Sequence, residues 1–336
     1  MKLSFKNYFL ELIHPFSISS NTRTETPIVL TQLESRGLIG YGEASLPPYL
    51  EESQESVNQF LKGLDFSRMD DTVPIDTILD FINTGYGNAF AKASLDIAIH
   101  DLFGKIQNKP LYKTLGSNPE RMPITSCTLG MASEELLEQK VREAERFSVL
   151  KVKLGGAEDK AIIRTIRKFS SKPLYIDANQ GWSDPIHALD MITWLSDQGA
   201  LLIEQPLPKG MRSEQAWLYD RSPLPLIADE SCQNESDISG LKGLFSGINI
   251  KLMKCGGIRE GLKMIHTARN LDMKIMIGCM NESSCAIMAA AALAPQCDYV
   301  DLDGPFLIKN NPFEDPEIRE GKIVLSERPG LGLIPQ

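Results

Sequence analysis

Residues 173–177 read Pro173-Leu174-Tyr175-Ile176-Asp177, a short apolar run that closes on an acid. The same pattern returns in Leu202-Ile203-Glu204 and Ile227-Ala228-Asp229. On either side of these three, the runs carry lysines instead: Lys151-Val152-Lys153 before them and Ile250-Lys251-Leu252 after. Further outward, strand-like runs fall near 123–128, 149–154, 173–177, 200–204, 225–229, 247–252, 273–278 and 298–303. Their expected end residues are Thr128, Lys153, Asp177, Glu204, Asp229, Lys251, Gly278 and Asp303, spaced 22 to 27 residues apart. A strand, a helix and two short loops need about that much chain, so eight units predict a closed parallel α/β barrel over residues 122–304. Amphipathic stretches between the runs supply the helices. Residues 133–147 open on Ser133-Glu134-Glu135, an N-cap and an acidic first turn, and residues 258–270 follow the Gly256-Gly257 turn.

The first 121 residues have a different texture. Residues 2–12, 28–34 and 38–43 cluster β-formers around turn signals such as Ser35-Arg36-Gly37, which predicts a small antiparallel sheet. Helical patterns follow at 51–62, 73–83 and 88–104, the last with Ala91, Leu95, Ala98 and Leu102 on one face. Strands followed by helices predict an α+β domain over 1–121. The proline-containing tail, 305–336, is expected to pack back on it, with a hairpin strand at 322–325.

Bulk properties exclude several classes. The chain has 336 residues, 42% of them hydrophobic, and a net charge of −9. No Lys/Arg cluster forms a nucleic-acid stripe. The six cysteines include no C-x-x-C pair, so neither a disulfide framework nor a zinc site is expected, and a reducing cytoplasm fits. Residues 1–16 mix charge with apolar alternation and read as a strand, not a secretion signal. The longest apolar run, 286–295, is too short to span a bilayer and reads as a buried helix. The expected partner is a small molecule, not a membrane or nucleic acid; homo-oligomerisation stays open.

Barrel enzymes carry their chemistry at the C-terminal ends of strands. Any one acid there would serve as a helix N-cap, but three on consecutive strands converge on one axis and repel unless a cation lies among them. Oxygen ligands without nearby cysteine or histidine favour Mg²⁺, one per subunit, on Asp177, Glu204 and Asp229. Glu230 stands close enough to compete for the same role. Lys151 and Lys153, at i and i+2, share one strand face, and each disfavours the other's charge, so one of them titrates lower and serves as a base. Salt bridges to the neighbouring acids are the competing account of these lysines. Strands two to six thus read base, acid, acid, acid, base. A substrate carboxylate on the metal would hold its α-carbon between Lys153 and Lys251. A lysine on each face suits 1,1-proton transfer, that is racemisation or epimerisation.

The motifs Lys151-Val152-Lys153, Asp177-Ala178-Asn179-Gln180-Gly181-Trp182, Glu204-Gln205-Pro206, Ala228-Asp229-Glu230-Ser231 and Ile250-Lys251-Leu252-Met253-Lys254-Cys255-Gly256-Gly257 resemble the muconate lactonising subgroup of the enolase superfamily. Gly40-Tyr41-Gly42-Glu43-Ala44 and Ala93-Ser94-Leu95-Asp96-Ile97-Ala98 extend the resemblance to the N-terminal part. It implies a modified TIM barrel, (β/α)₇β, under an α+β capping domain. It also implies that Lys153 and Lys251 act on opposite faces of the substrate, with Lys151 as electrostatic helper.

Within that subgroup the eighth run is informative. Val300-Asp301-Leu302-Asp303 places two carboxylates on one face beyond the metal site, suited to a free ammonium group, with a salt bridge or loop cap as the plainer account. This D-x-D resembles the motif by which dipeptide epimerases hold the dipeptide N-terminus. The expectation is an Mg²⁺-dependent epimerase of Ala-Xaa dipeptides acting at the C-terminal residue. Specificity is expected from a capping loop at 16–26, including Arg23, and from the strand-seven end, with Thr128, Cys279 and Met280 as further contacts. Small or hydrophobic second residues are favoured and Ala-Glu is kept open. An o-succinylbenzoate synthase or muconate-type cycloisomerase, and a non-catalytic ligand-binding barrel, are the alternatives.

Overall fold

The computed structural model describes all residues except 19–20, 49–50 and 86, together with all side chains but those and 16–18 and 21. Its N-terminal sheet has the strands β1 (Lys2–Ile18), β2 (Asn21–Ser35) and β3 (Leu38–Ser45), antiparallel in that order. The β2–β3 turn rests on Arg36 and Gly37, both at positive φ (50° and 75°), as a tight right-twisted hairpin requires. Helices α1 (Gln54–Lys62), α2 (Ile75–Thr84), α3 (Ala89–Ile106) and the single turn α4 (Leu111–Thr114) follow. Helix α3 crosses β3 at backbone contact. A Cβ on Gly40 would lie 2.1 Å from the Ala98 carbonyl oxygen, and one on Gly42 1.8 Å from that of Ser94. The glycines are therefore what lets the helix seat, and Ala91, Leu95, Ala98 and Leu102 are all buried there.

The sequence suggests a loop at 16–26, but the chain is a hairpin there. After an irregularity between Glu11 and Phe16, β1 and β2 pair again through Phe16–Arg23, Ser17–Thr22 and Ile18–Asn21. Alternating β-branched residues at Thr22, Thr24 and Thr26 explain the strand, since the pairing satisfies backbone groups that a loop would leave to water. Residues 19–20 at its tip lie outside the described residues.

Eight parallel strands come next: β4 (Ser126–Leu129), β5 (Val149–Lys153), β6 (Leu174–Asp177), β7 (Ala200–Glu204), β8 (Leu226–Ala228), β9 (Gly247–Ile250), β10 (Lys274–Gly278) and β11 (Tyr299–Asp301). Each pairs with its sequence neighbours, and a Thr125–Val300 bridge brings the last strand to the first, so the barrel is nearly closed. Between them run α5 (Glu134–Glu143), α6 (Asp159–Phe169), α7 (Pro185–Asp197), α8 (Arg212–Tyr219), α9 (Glu235–Ile238), α10 (Leu252–Cys255), α11 (Ile258–Asn270) and α12 (Ser284–Leu293). Helix α12, the Ala-rich run, is buried at every residue. Among the described residues no helix is long and apolar enough to cross a membrane. After β11 the chain makes only a short 3₁₀ turn, residues 304–307, so the eighth crossover lacks a regular helix.

The tail touches both parts. Leu12 bridges Ile308, and the Leu331 amide donates to Asp101 of α3 (2.7 Å). The Thr125 amide donates to the Gly321 carbonyl (2.8 Å) beside the short hairpin of β12 (Ile318–Arg319) and β13 (Lys322–Ile323).

Inside the barrel, Val149, Tyr175, Leu202, Ile227 and Met276 form their own apolar cluster, separate from the main core between strands and helices. Strand alternation puts the residues two positions on, Lys151, Asp177, Glu204 and Asp229, on the same inward face, one layer higher. The polar site thus stands on an apolar plug that closes the barrel from below.

Candidate active site

The carboxylates of Asp177, Glu204 and Asp229 come from three adjacent strands, and one oxygen of each lies within 4.8 Å of the others. All three are buried. Ammonium groups gather on them. Lys153 Nζ lies 2.6 Å from Asp177 Oδ2, and Lys251 Nζ 2.7 Å from Asp229 Oδ2. Lys151 Nζ reaches Glu204 (2.6 Å), Asp301 (2.7 Å) and Asp177 (3.2 Å) at once. Lys153 ends the second barrel strand and Lys251 follows the sixth. Four of eight steps separate them, so they rise from opposite sides of the mouth.

The electrostatics follow from this crowding. Burial alone would lower Lys151, but the Asp301, Glu204 and Asp177 carboxylates outweigh it and hold its ammonium well above the ordinary lysine range. The charge that the Lys151–Lys153 pair was expected to lose is therefore not lost at Lys151. Burial raises Asp229, yet Lys251 and Lys254 pull it well below the ordinary carboxylate range; Lys153 and Lys151 do the same, less strongly, for Asp177. Glu204, buried and beside Asp177, is pushed up to about 7. A set of three buried oxygen donors on one axis, needing this much positive charge, fits a hard divalent cation such as Mg²⁺.

Above the carboxylates opens a cavity of about 520 Å³. Its walls include Thr128, Asp301 and Asp303 on one side and Lys251, Cys279 and Met280 on another, with Arg23 reaching in from the N-terminal hairpin. The Thr128 amide donates to Asp303 Oδ2, and Ser126 Oγ donates to Asp301 Oδ1 at 2.6 Å. Burial and the Asp301 charge push Asp303 up to about 6. Cys279 approaches Asp303 Oδ1 at 3.9 Å, and burial raises its thiol well above the usual range, so it is a neutral wall. Arg23 is buried and donates to Asn281 Oδ1 at 3.0 Å. Glu230 faces the same cavity at the edge of the carboxylates, pushed up to about 7 by burial and the Asp229 charge. The twelve residues singled out from sequence thus converge on one mouth, Asp177 and Glu204 at its floor.

Two members carried no role at the sequence level. Lys254 donates to Asp229 Oδ1 (2.7 Å) and to the carbonyls of Asp229, Cys232 and Asn249. Asn249 Nδ2 donates to Glu204 Oε1 at 2.7 Å. Asn249 had a readable signal: it is a polar residue two positions before Lys251 in an apolar strand, hence on the inward face. Lys254 stands within the Ile250–Gly257 motif, but strand alternation gives it no role, because it sits in the short helix α10 and turns back.

Residues 134–336 match the family model described as enolase C-terminal domain-like, and residues 8–116 match the mandelate racemase/muconate lactonizing enzyme N-terminal domain. Among curated relatives, an L-Ala-D/L-Glu epimerase of Bacteroides thetaiotaomicron is 46% identical, over 99% of this chain and 88% of that one. A substrate-liganded L-Ala-D/L-Glu epimerase from Bacillus subtilis superposes with a TM-score of 0.91 at 28% identity, covering 100% of this chain and 98% of that one. A dipeptide epimerase from Enterococcus faecalis, complexed with Mg and L-Leu-L-Tyr, gives 0.88 at 30% identity, over 98% of each chain. Matches over both halves of the chain, with the 46% identity to the Bacteroides relative, place this protein in the mandelate racemase/muconate lactonizing enzyme family of the enolase superfamily.

Proposed function

We propose that the protein is an Mg²⁺-dependent isomerase that epimerises dipeptides at the α-carbon of their C-terminal residue. The observation that carries this reading is the placement of Lys153 and Lys251 on opposite sides of the Asp177, Glu204 and Asp229 carboxylates. Asp177, Glu204 and Asp229 would hold the cation, which when bound stabilises negative charge developing on the substrate carboxylate. Lys153 Nζ takes or returns the α-proton on one face, and Lys251 Nζ on the other. Lys151, held charged by three carboxylates, fixes the field that both feel. Asp301 and Asp303 receive the dipeptide ammonium, and the Thr128 amide keeps Asp303 in position.

Residues 1–121 with the tail 305–336 act as the cap that carries specificity, and residues 122–304 as the catalytic barrel. For the second residue, the buried Arg23 guanidinium in the cavity wall supports an acidic side chain. This moves the preference from the small or hydrophobic residues favoured by sequence toward Ala-Glu, the dipeptide named for the Bacteroides relative. Met280, also in the wall, leaves room for apolar second residues at lower rate. All six cysteines are unpaired, which supports a reducing, cytoplasmic setting.

Proton NMR in D₂O tests the reading. L-Ala-L-Glu with enzyme and Mg²⁺ should lose its glutamyl α-proton signal and gain the L-Ala-D-Glu resonances. No exchange in any of a panel of Ala-Xaa dipeptides, with turnover of a cyclohexadiene acid instead, would replace the epimerase with the synthase or cycloisomerase reading.

A further inference from the structure

A second cavity, of about 310 Å³, opens on the outer side of β4. Along this strand Ser126 and Thr128 turn inward to Asp301, so Cys127 and Leu129 turn outward toward α5. One face of that helix and its following turn contributes Lys140, Glu143, Ala144 and Phe147, at i, i+3, i+4 and i+7. The irregular stretch of β1, at 12–15, and Phe306 with Leu307 complete the enclosure. Most of this surface is hydrocarbon.

Lys140 is out of keeping with it. The residue is only 8% exposed, yet its ammonium makes no hydrogen bond or ion pair with any described residue. Glu143, the nearest acid on its own helix, is engaged elsewhere, with His14 Nε2 at 2.6 Å and Gln139 at 2.8 Å. Burial holds Lys140 below its ordinary range, and the Glu143 charge offsets this only in part. At the rim the Arg146 guanidinium lies over the Phe306 ring at 4.5 Å, likewise without an acid partner among the described residues. The ammonium lines the cavity with its hydration reduced by the apolar walls, and an entering group of opposite charge would offset that cost. No residue of the catalytic mouth uses this lysine.

We propose that this cavity, which adjoins the catalytic mouth across Thr128 and Leu307, is a second ligand site, for a small monocarboxylate with a hydrocarbon body. The carboxylate pairs with Lys140, and the hydrocarbon lies against Leu12, Phe147 and Phe306. A monoanion matches the single ammonium within the apolar walls, Arg146 lying against the Phe306 ring at the rim, whereas a phosphate dianion would carry an excess charge inward. The carboxylate could belong to a free hydrocarbon acid or to a peptide C-terminus with an apolar side chain, which share this chemistry.

Calorimetric titration with hexanoate tests it, using enzyme already saturated with Mg²⁺ and L-Ala-L-Glu so that the catalytic mouth is filled. Hexanoate should bind one to one, and hexanol at least tenfold more weakly. The variant Lys140→Met, which keeps an unbranched side chain and removes the charge, should bind hexanoate at least tenfold more weakly, keep wild-type dipeptide turnover and melt at a higher temperature. N-acetyl-L-leucine run in parallel assigns the source, binding tighter than hexanoate for a peptide terminus and weaker for a free acid. Absence of hexanoate binding, equal binding by Lys140→Met, or purely competitive inhibition against the dipeptide would each overturn the proposal. So would a lower melting temperature of Lys140→Met, which would make the lysine structural. Repeating the titration without dipeptide keeps the result independent of the epimerase reading.

Discussion

Lys151 and Asp301 are joined at 2.7 Å although 150 positions separate them, tying the second barrel strand to the eighth across β4. The pair is buried, and the same ammonium also serves Glu204 and Asp177. It therefore couples the carboxylates proposed to hold the metal to one proposed to hold the substrate ammonium.

Removing that tie by Lys151→Met should leave buried carboxylates without their counter-charge. Breaking a buried pair in this way costs about 3–5 kcal/mol. Urea unfolding should show that loss in the metal-free enzyme and a smaller one at saturating Mg²⁺, because a bound cation supplies part of the missing charge. Equal losses in both conditions would mean that Lys151 does not share its carboxylates with a metal.

Lys153 and Lys251 should fail differently. Each alanine variant should lose epimerisation by about 10²–10⁴-fold, the usual scale for a positioned proton-transfer group. In D₂O, however, each should keep α-proton exchange with the one stereoisomer whose proton faces the remaining lysine. NMR exchange rates for L-Ala-L-Glu and L-Ala-D-Glu measured separately would reveal the split. Identical exchange losses with both isomers would place the two lysines on one face.

Arg23 should govern the second side chain. Arg23→Met is expected to lower kcat/KM for L-Ala-L-Glu by about 10- to 100-fold, corresponding to one hydrogen bond to a charged group. The same change should raise kcat/KM for L-Ala-L-Leu. Steady-state kinetics on the two dipeptides read the ratio directly, and a parallel fall for both would make Arg23 a structural residue of the hairpin.

Glu43 predicts a pH dependence of stability. Burial raises its carboxyl from 4.5 to about 7, only partly offset by hydrogen bonds from Ser283. The folded state holds this proton more tightly than the unfolded chain, so the wild type should lose stability as pH rises from near the unfolded value through about 7. The loss amounts to about 3 kcal/mol at one pKa unit per 1.36 kcal/mol. Glu43→Gln keeps an oxygen for the Ser283 amide and removes the ionisation. Its advantage over wild type should therefore grow between pH 5 and pH 8 in denaturant titrations.

The barrel and most of the site were legible along the chain because their signals are local. Eight apolar runs at regular spacing need only neighbouring residues to be recognised, and period-two alternation then places Lys151, Asp177, Glu204 and Asp229 on the inner face. Asp301 followed from the same rule, as Asn249 would have. Other features rest on contacts between distant parts of the chain, which leave no local pattern. The Lys151–Asp301 tie, the turn of Lys254 back to Asp229, and the reach of Arg23 to Asn281 across 258 positions are of this kind. The hairpin at 16–26 looked like a loop because pairing, not composition, decides whether its backbone is satisfied. Lys140 makes the same point in reverse. On its helix it reads as one more surface lysine, and only the closure of β1 and the 304–307 turn over α5 buries it. The residue types and their alternation along the chain thus determined the fold class and the inventory of charged groups. Which charges meet, and which are left without a partner, was decided only when the strands closed into a barrel beneath the N-terminal sheet.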